Sequence, residues 1–233
     1  MHRVAGAPTG TRRGGLFACL LLATAAACAG TAAPSTPGPA DPAVEEAALE
    51  ATALRDAYTA AFDWSLRERE ARFSGEGVAR VAPPEHARLD LFGPRGEFFL
   101  AAALVGADLR LPPGVRDVPL PPPALFWGVI GVLRPPADAS LLATGADGSA
   151  VTLEYGRGSE RWAYRVEGRT VRAVEWTDGD GGRMTVEVRS VDAEQRPTSV
   201  RYRDWPAFVE LVIDVTELDV VEGHPDDTWN PAL

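Results

Sequence analysis

Residues 124–133 read Ala-Leu-Phe-Trp-Gly-Val-Ile-Gly-Val-Leu, with no polar side chain, between Pro121-Pro122-Pro123 and Pro135-Pro136. A bilayer-spanning helix needs about 20 apolar residues, so this run is too short to cross a membrane. It predicts a short helix that is apolar nearly all round, with Pro123 in its first turn and Pro135 forbidding its continuation. At helical spacing Phe126, Val129, Ile130 and Leu133 share one face, with Gly128 and Gly131 admitting a close neighbour on another. On both sides the pattern changes to a period of two, which predicts strands. A lone apolar helix between two runs of antiparallel strands has to be covered by the sheet. It is expected to act as a plug or lid on a curved sheet.

Before the strands, Asp41-Pro42 predicts a helix start, with Asp41 as N-cap and Glu45 and Glu46 in the first turn. Val44, Ala47, Ala51, Leu54, Tyr58 and Ala61 recur in steps of three and four, which extends the expected helix to about Phe62. Strands are then expected at 73–81, 87–91, 98–105 and 109–111. After the apolar helix they follow at 140–144, 151–155, 162–166, 170–176, 184–188, 200–202 and 209–215. Turn residues at short intervals between them, such as Gly93-Pro94-Arg95-Gly96 and Asp178-Gly179-Asp180-Gly181-Gly182, predict an antiparallel meander. The fold class expected is mainly β, with about eleven strands and two helices.

The first 27 residues change the picture by removing themselves from it. Arg3, Arg12 and Arg13 precede an apolar core from Leu16 to Ala27, the pattern of a secretory signal peptide (1–27). It ends Ala25-Ala26-Ala27-Cys28-Ala29, which resembles a bacterial lipobox, so Cys28 is the expected lipidation site and membrane anchor. Ala25 stands where that motif usually has Leu. Cys19, inside the apolar core, is lost with the leader, and the single remaining thiol permits no intrachain disulfide. Residues 28–40 are then the lipidated N-terminus and a small, Pro-rich tether, and 41–233 the folded domain. Ala29 rather than Asp after the cysteine is expected to favour the outer membrane in bacteria that sort lipoproteins by that position.

Charge and candidate chemistry narrow the function. The chain has 23 basic and 33 acidic residues, and losing three arginines with the leader leaves a net charge of −13. A surface that acidic argues against nucleic acid and against adhesion to anionic lipid headgroups. No Gly-x-Ser-x-Gly is present, and only His86 and His224 survive processing. His86 reads as a turn residue and His224 as part of a solvated acidic tail. The 178–182 segment lacks the Gly and Glu positions of a calcium loop and reads as a hairpin turn. No enzyme and no cofactor is expected. The apolar strand face carries Leu89, Leu91, Phe98, Leu153, Tyr155, Trp162, Tyr164, Val186 and Val188. Two helices either close over this face as a filled core or leave an apolar cavity; the sequence leaves both open.

The order of parts is similar to the LolA/LolB fold of lipoprotein carriers and receptors. The resemblance rests on the lipobox, tether and helix, and on Phe73-Ser74-Gly75-Glu76-Gly77 opening a strand. It rests further on Arg88-Leu89-Asp90-Leu91-Phe92-Gly93-Pro94-Arg95-Gly96, and on Val215 through Asp219 followed by Asp227-Thr228-Trp229-Asn230-Pro231. It implies an incomplete antiparallel barrel with helices as lid and an apolar cavity for lipid or lipoprotein acyl chains. Leu125, Phe126, Ile130 and Leu133 would be the lid residues facing that cavity, in a monomeric protein. LolB-type receptors carry an apolar protruding loop after the third strand, and the turn in that place here is only Val105-Gly106-Ala107-Asp108. A non-catalytic assembly protein, using the same fold as a protein-interaction module, is the alternative expectation.

Replacing Cys28 with Ser should abolish acylation. The measurement is metabolic labelling with a fatty-acid analogue, and label retained by Cys28→Ser assigns the anchor elsewhere.

Overall fold

A computed structural model describes residues 38–115 and 118–231; the leader, Cys28 and most of the tether lie outside the described residues. In chain order the elements are β1 (Gly38–Pro39), α1 (Pro42–Thr52), β2 (Ala57–Glu68), β3 (Ala71–Ala82), β4 (His86–Phe92), β5 (Phe98–Val105) and β6 (Asp108–Arg110). After them come α2 (Pro123–Val129), β7 (Ser140–Asp147), β8 (Ala150–Arg157), β9 (Glu160–Glu167), β10 (Thr170–Thr177), β11 (Arg183–Val191), β12 (Pro197–Asp204) and β13 (Val209–Val221). The strands form one antiparallel sheet in the order β1-β7-β8-β9-β10-β11-β12-β13-β2-β3-β4-β5-β6, and its two edges do not meet. This is a mainly β, half-open barrel.

The sheet has thirteen strands where eleven were expected, and the important difference is β2. The three-four stripe through Tyr58 and Ala61 suggested helix, yet Tyr58, Ala60, Phe62, Trp64 and Leu66 are also spaced by two. All five are buried on one face. The helix stops at Thr52 instead, whose hydroxyl donates to the Ala48 carbonyl and accepts from the Leu133 amide. Asp41 caps the other end as expected, accepting from the Ala43 amide at 2.9 Å. The second difference is β1: Gly38 and Pro39 pair with Thr144 and Ala143, so the end of the tether is an edge strand.

Central helix α2 is also shorter than its apolar run. It ends at Val129 because Gly131 adopts φ +81. The Val132 amide donates to the Trp127 carbonyl and the Gly131 amide to the Gly128 carbonyl, the pair of bonds that satisfies a helix C-terminus around a left-handed glycine. Gly131 therefore stops the helix four residues before Pro135 can. Leu133 consequently does not share a helix face with Phe126; it is buried beyond the turn. Gly128 does admit a close neighbour: a Cβ there would lie 2.6 Å from Val174 of β10. The helix packs on β10, β11 and β12, while α1 packs on β7 and β10.

The inner face of the sheet is the apolar one. Tyr155, Trp162, Tyr164, Val174 and Val186 are cross-strand partners along β8–β11 and are all buried. The outer face is polar, with one covered region. Asp90 of β4 is 4% exposed, held by Arg80 at 2.6 Å and Arg88 at 2.8 Å. Arg88 also donates to the Thr228 carbonyl, and Arg110 to that of Trp229. The C-terminal segment is thus a docked strap rather than a solvated tail. His224 bonds to the Tyr58 carbonyl at 3.1 Å, and the Trp229 ring lies between His86 and His224. Asp178 forms the expected hairpin turn, accepting from the Asp180 and Gly182 amides.

All four tyrosines, Tyr58, Tyr155, Tyr164 and Tyr202, are buried, and burial raises each phenol well above its usual pKa. The unfolded chain releases these protons near pH ~10 while the folded chain retains them. Stability from this source is therefore complete below that pH and is lost as pH rises above it. Phenolate absorbance and loss of β-sheet circular dichroism should appear in one alkaline transition. Tyrosine ionisation at pH ~10 in a chain that is still folded would contradict the burial of these side chains.

Candidate functional site

Helix α2 divides the space inside the half-barrel into two. On one side Phe126, Val129 and Ile130 face β2, β3 and β4 across a narrow slot of about 50 Å³. Its floor is built from Ala60, Ala79 and Ala87, with Leu89, Leu211 and Ile213 around them. Ala60 and Ala79 are registered partners, and Ala79 in turn faces Leu89. Small side chains in the middle of three adjacent strands leave the helix without full contact there, while its other flank is tight against Val174. Arg88 borders the lining between Ala87 and Leu89, with its guanidinium held on the outer face by Asp90 and the Thr228 carbonyl.

On the other side of the helix lies an open groove of about 780 Å³. Trp127 of α2 forms one wall, with its indole N–H donated to the Gly106 carbonyl of the β5–β6 turn at 2.7 Å. Trp162, Trp176 and Met184 form the opposite wall, as cross-strand neighbours on β9, β10 and β11. Prolines 122, 123, 135 and 136 line the segments that enter and leave the helix. The slot is smaller than an ordinary ligand site of about 300–1,000 Å³, and the groove falls within that range.

Ion pairs fasten the segment after α2 on both sides of this groove. Arg134 pairs with Glu85 of the β3–β4 turn and lies 5.0 Å over the Trp127 ring. Partial burial lowers the Arg134 pKa, and the partner carboxylate and ring face hold the cation in place. Arg157 reaches Asp138 at 2.8 Å and Glu160 at 2.7 Å, and lies 5.2 Å over Trp162. The Trp176 indole donates to Glu160. Two arginines against three carboxylates make the rim slightly acidic and leave the walls apolar.

The expected site residues separate into three groups. Leu89, Phe126 and Ile130 line the slot, and Trp162 lines the groove. Leu91, Leu125, Leu133, Leu153, Tyr155, Tyr164 and Val186 are fixed in the core around the helices, each at most 3% exposed. Phe98 is in neither space: it is 47% exposed at the rim of the sheet, edge-on to Phe92. A bulge between Leu91 and Phe92 shifts the β4–β5 register there and takes Phe98 out of the alternation seen farther along β5. The alanine floor was not anticipated, since small residues carry little periodic signal. Trp127 was visible in the apolar run but lay off the face formed by Phe126 and Ile130.

No family model matches the sequence, and no curated protein matches it. Solved structures do resemble the fold. A LolA superfamily protein from Nitrosomonas europaea superposes with a TM-score of 0.53 at 15% identity, covering 79% of this chain and 96% of its own. A DUF1329 family protein from Desulfovibrio piger gives 0.53 at 12% identity, covering 83% and 98%. A putative outer membrane lipoprotein-sorting protein domain from Vibrio parahaemolyticus gives 0.52 at 10%, covering 81% and 95%. The fold is LolA/LolB-like. With β2 added, the turn after the third long strand becomes Gly93–Glu97 rather than Val105–Asp108. It too is short, and its tip carries Pro94 and Arg95.

Trp127→Phe removes the bond to Gly106 together with part of a ring that is 1% exposed. The change should cost about 2 kcal/mol in urea unfolding, about half for the bond and the rest for the space left behind. An unchanged midpoint would show that this bond does not hold α2 to the β5–β6 turn.

Proposed function

We propose that this protein is a lipid-anchored envelope lipoprotein that takes lipid, or the acyl chains of other lipoproteins, beneath helix α2. The protein would act in lipoprotein or lipid transport, or in insertion at the outer membrane, without a catalytic step. The carrying observation is the incomplete fit of α2: tight on β10–β12, slack over the alanines of β2–β4. The apolar, nearly charge-free lining suits hydrocarbon and offers nothing to a polar ligand. A chain entering here gains up to about 0.8 kcal/mol per buried methylene, less the cost of ordering the complex.

At about 50 Å³ the slot holds only a fraction of an acyl chain, so uptake requires α2 to move off the β2–β4 floor. The slot and the groove share α2 as a wall, with Phe126 on one side and Trp127 on the other. Moving the helix joins them into one space that opens between Trp162, Trp176 and the prolines. The small resting volume also favours the second reading, a filled core with the fold serving as a protein-interaction module.

Ala79→Leu would fill the slot with apolar atoms at little cost to folding, and Ile130→Glu would place a charge in its wall. The expected result is at least tenfold weaker binding of a fluorescent fatty acid by both variants, with the melting temperature of Ala79→Leu near that of wild type. Native mass spectrometry of the wild type should show co-purified lipid. A wild type without lipid or fatty-acid uptake, and an Ile130→Glu variant that simply unfolds, would sink the lipid reading and leave the interaction module.

A further inference from the structure

The outer face of the sheet carries an arrangement that the lipid reading does not use. Near one end of the half-barrel, Arg67 of β2 and Arg72 of β3 are registered cross-strand partners. On the next rung of the same face, Ser65 and Ser74 are partners in the same way. Like charges placed directly opposite each other destabilise a strand pair, by a modest amount where both side chains are exposed, as Arg67 and Arg72 are.

Nearby carboxylates offset this repulsion only in part: the charge of Arg67 is felt by Glu210, but the two are not within ion-pair distance. Glu210 of β13 is the registered neighbour of Arg67 on its other side, and it is also the registered partner of Arg203. Arg203 binds it at 2.6 Å and Arg201 lies 3.8 Å away, so its carboxyl is held below the usual range chiefly by the Arg203 bond. Across β3, β2, β13 and β12 the rung reads Arg72, Arg67, Glu210, Arg203: three cations for one anion. Among the described residues, Arg67 and Arg72 have no carboxylate within ion-pair distance, and the Ser65 and Ser74 hydroxyls have no partner. Acids on this face, Asp63 and Glu76, begin on the rung beyond the serines. An open recess of about 270 Å³ is lined by Ser65, Arg67, Arg72, Ser74 and Glu210, with Leu66 and Phe73 between them.

We propose that this recess is an oxyanion site for a phosphomonoester or a phosphodiester headgroup. Two guanidinium forks matched across adjacent strands present planar pairs of N–H donors, the geometry that fits phosphate oxygens. The two hydroxyls on the neighbouring rung add donors for the remaining oxygens. Bound phosphate takes the place of the missing carboxylate and relieves the repulsion within the Arg67–Arg72 rung. The site explains how an otherwise acidic protein tolerates two directly opposed arginines. It stands independently of whether the slot under α2 takes lipid.

The test uses the intact protein with inorganic phosphate at constant ionic strength set by chloride. Phosphate should raise the melting temperature in a saturable way and perturb the amide resonances of residues 65–74. Arg67→Gln/Arg72→Gln should bind phosphate at least tenfold more weakly while melting no lower than wild type without phosphate, because it removes the repulsion. Ser65→Ala/Ser74→Ala keeps the charge and should weaken binding several-fold, which separates a built site from general attraction. Vesicles of phosphatidylglycerol, with the double arginine variant as control, then distinguish a headgroup from a soluble phosphomonoester; retention of the anchor-free Cys28→Ser protein that Arg67→Gln/Arg72→Gln abolishes assigns the headgroup, and inorganic phosphate binding without such retention assigns the soluble ester. An equal phosphate response in wild type and the double arginine variant would overturn the proposal, since phosphate stabilises many proteins simply by exclusion from their surface.

Discussion

Everything in this molecule depends on covering one apolar sheet face with very little helix. A thirteen-stranded open sheet exposes a long inner surface, and the chain supplies eleven residues of α1 and seven of α2 to cover it. Large side chains compensate where the helices are present: Trp127, Tyr155, Tyr164 and Phe62 are among the most deeply buried residues. Where α2 does not reach, the strands carry alanine instead, and the result is a slot. The position of the slot follows from which way the short helix leans. It leans toward β10–β12 because Gly128 lets its backbone approach Val174.

The same shortage explains the fastenings around α2. A seven-residue helix contributes almost nothing to its own stability, since isolated helices below about 12–15 residues are marginal in water. Its position is set from outside by the Trp127 bond to Gly106, the glycine turn at Gly131 and the ion pairs of Arg134 and Arg157. These contacts lie at its two ends and on the groove side. On the slot side only apolar contacts hold it. No buried hydrogen bond on the slot side opposes a movement of the helix off the alanine floor, which is the freedom that the proposed uptake of a chain requires.

Much of this was legible in the residues. Period-two alternation located β5 to the residue and β3, β4 and β7–β12 to within three positions, placed the start of β13 but ended it six residues early, and the prolines around residues 124–133 marked the one interior helix. Two errors had specific physical causes. The β2 segment satisfies both a period of two and a stripe at threes and fours, because alanines at 60 and 61 count as apolar on either template. Only pairing with β3 and β13 on its two sides decides for strand. Phe98 alternates correctly in sequence but sits at a bulge, and a register shift leaves no trace in a hydrophobicity pattern. The slot escaped notice for the opposite reason. It is defined by side chains that are missing, and a pattern of large apolar residues reports where atoms are rather than where they are not.

The strand order has a consequence for how the chain reaches this state. The middle of the sheet is the pairing of β13 with β2, which joins the last strand to the first long one. The C-terminal strap repeats the connection, with Arg88 bonded to Thr228 across 140 residues of sequence. Strands β2–β6 and β7–β12 can each form a meander from local turns, but neither curls into a half-barrel until the final strand bridges them. Closing a loop of that length costs entropy before any contact repays it, and folds dominated by such distant pairings form slowly. Until the strand that begins at Val209 is available, the β13 pairings that join the two meanders cannot form, and the slot under α2 lacks the Leu211 and Ile213 side of its wall.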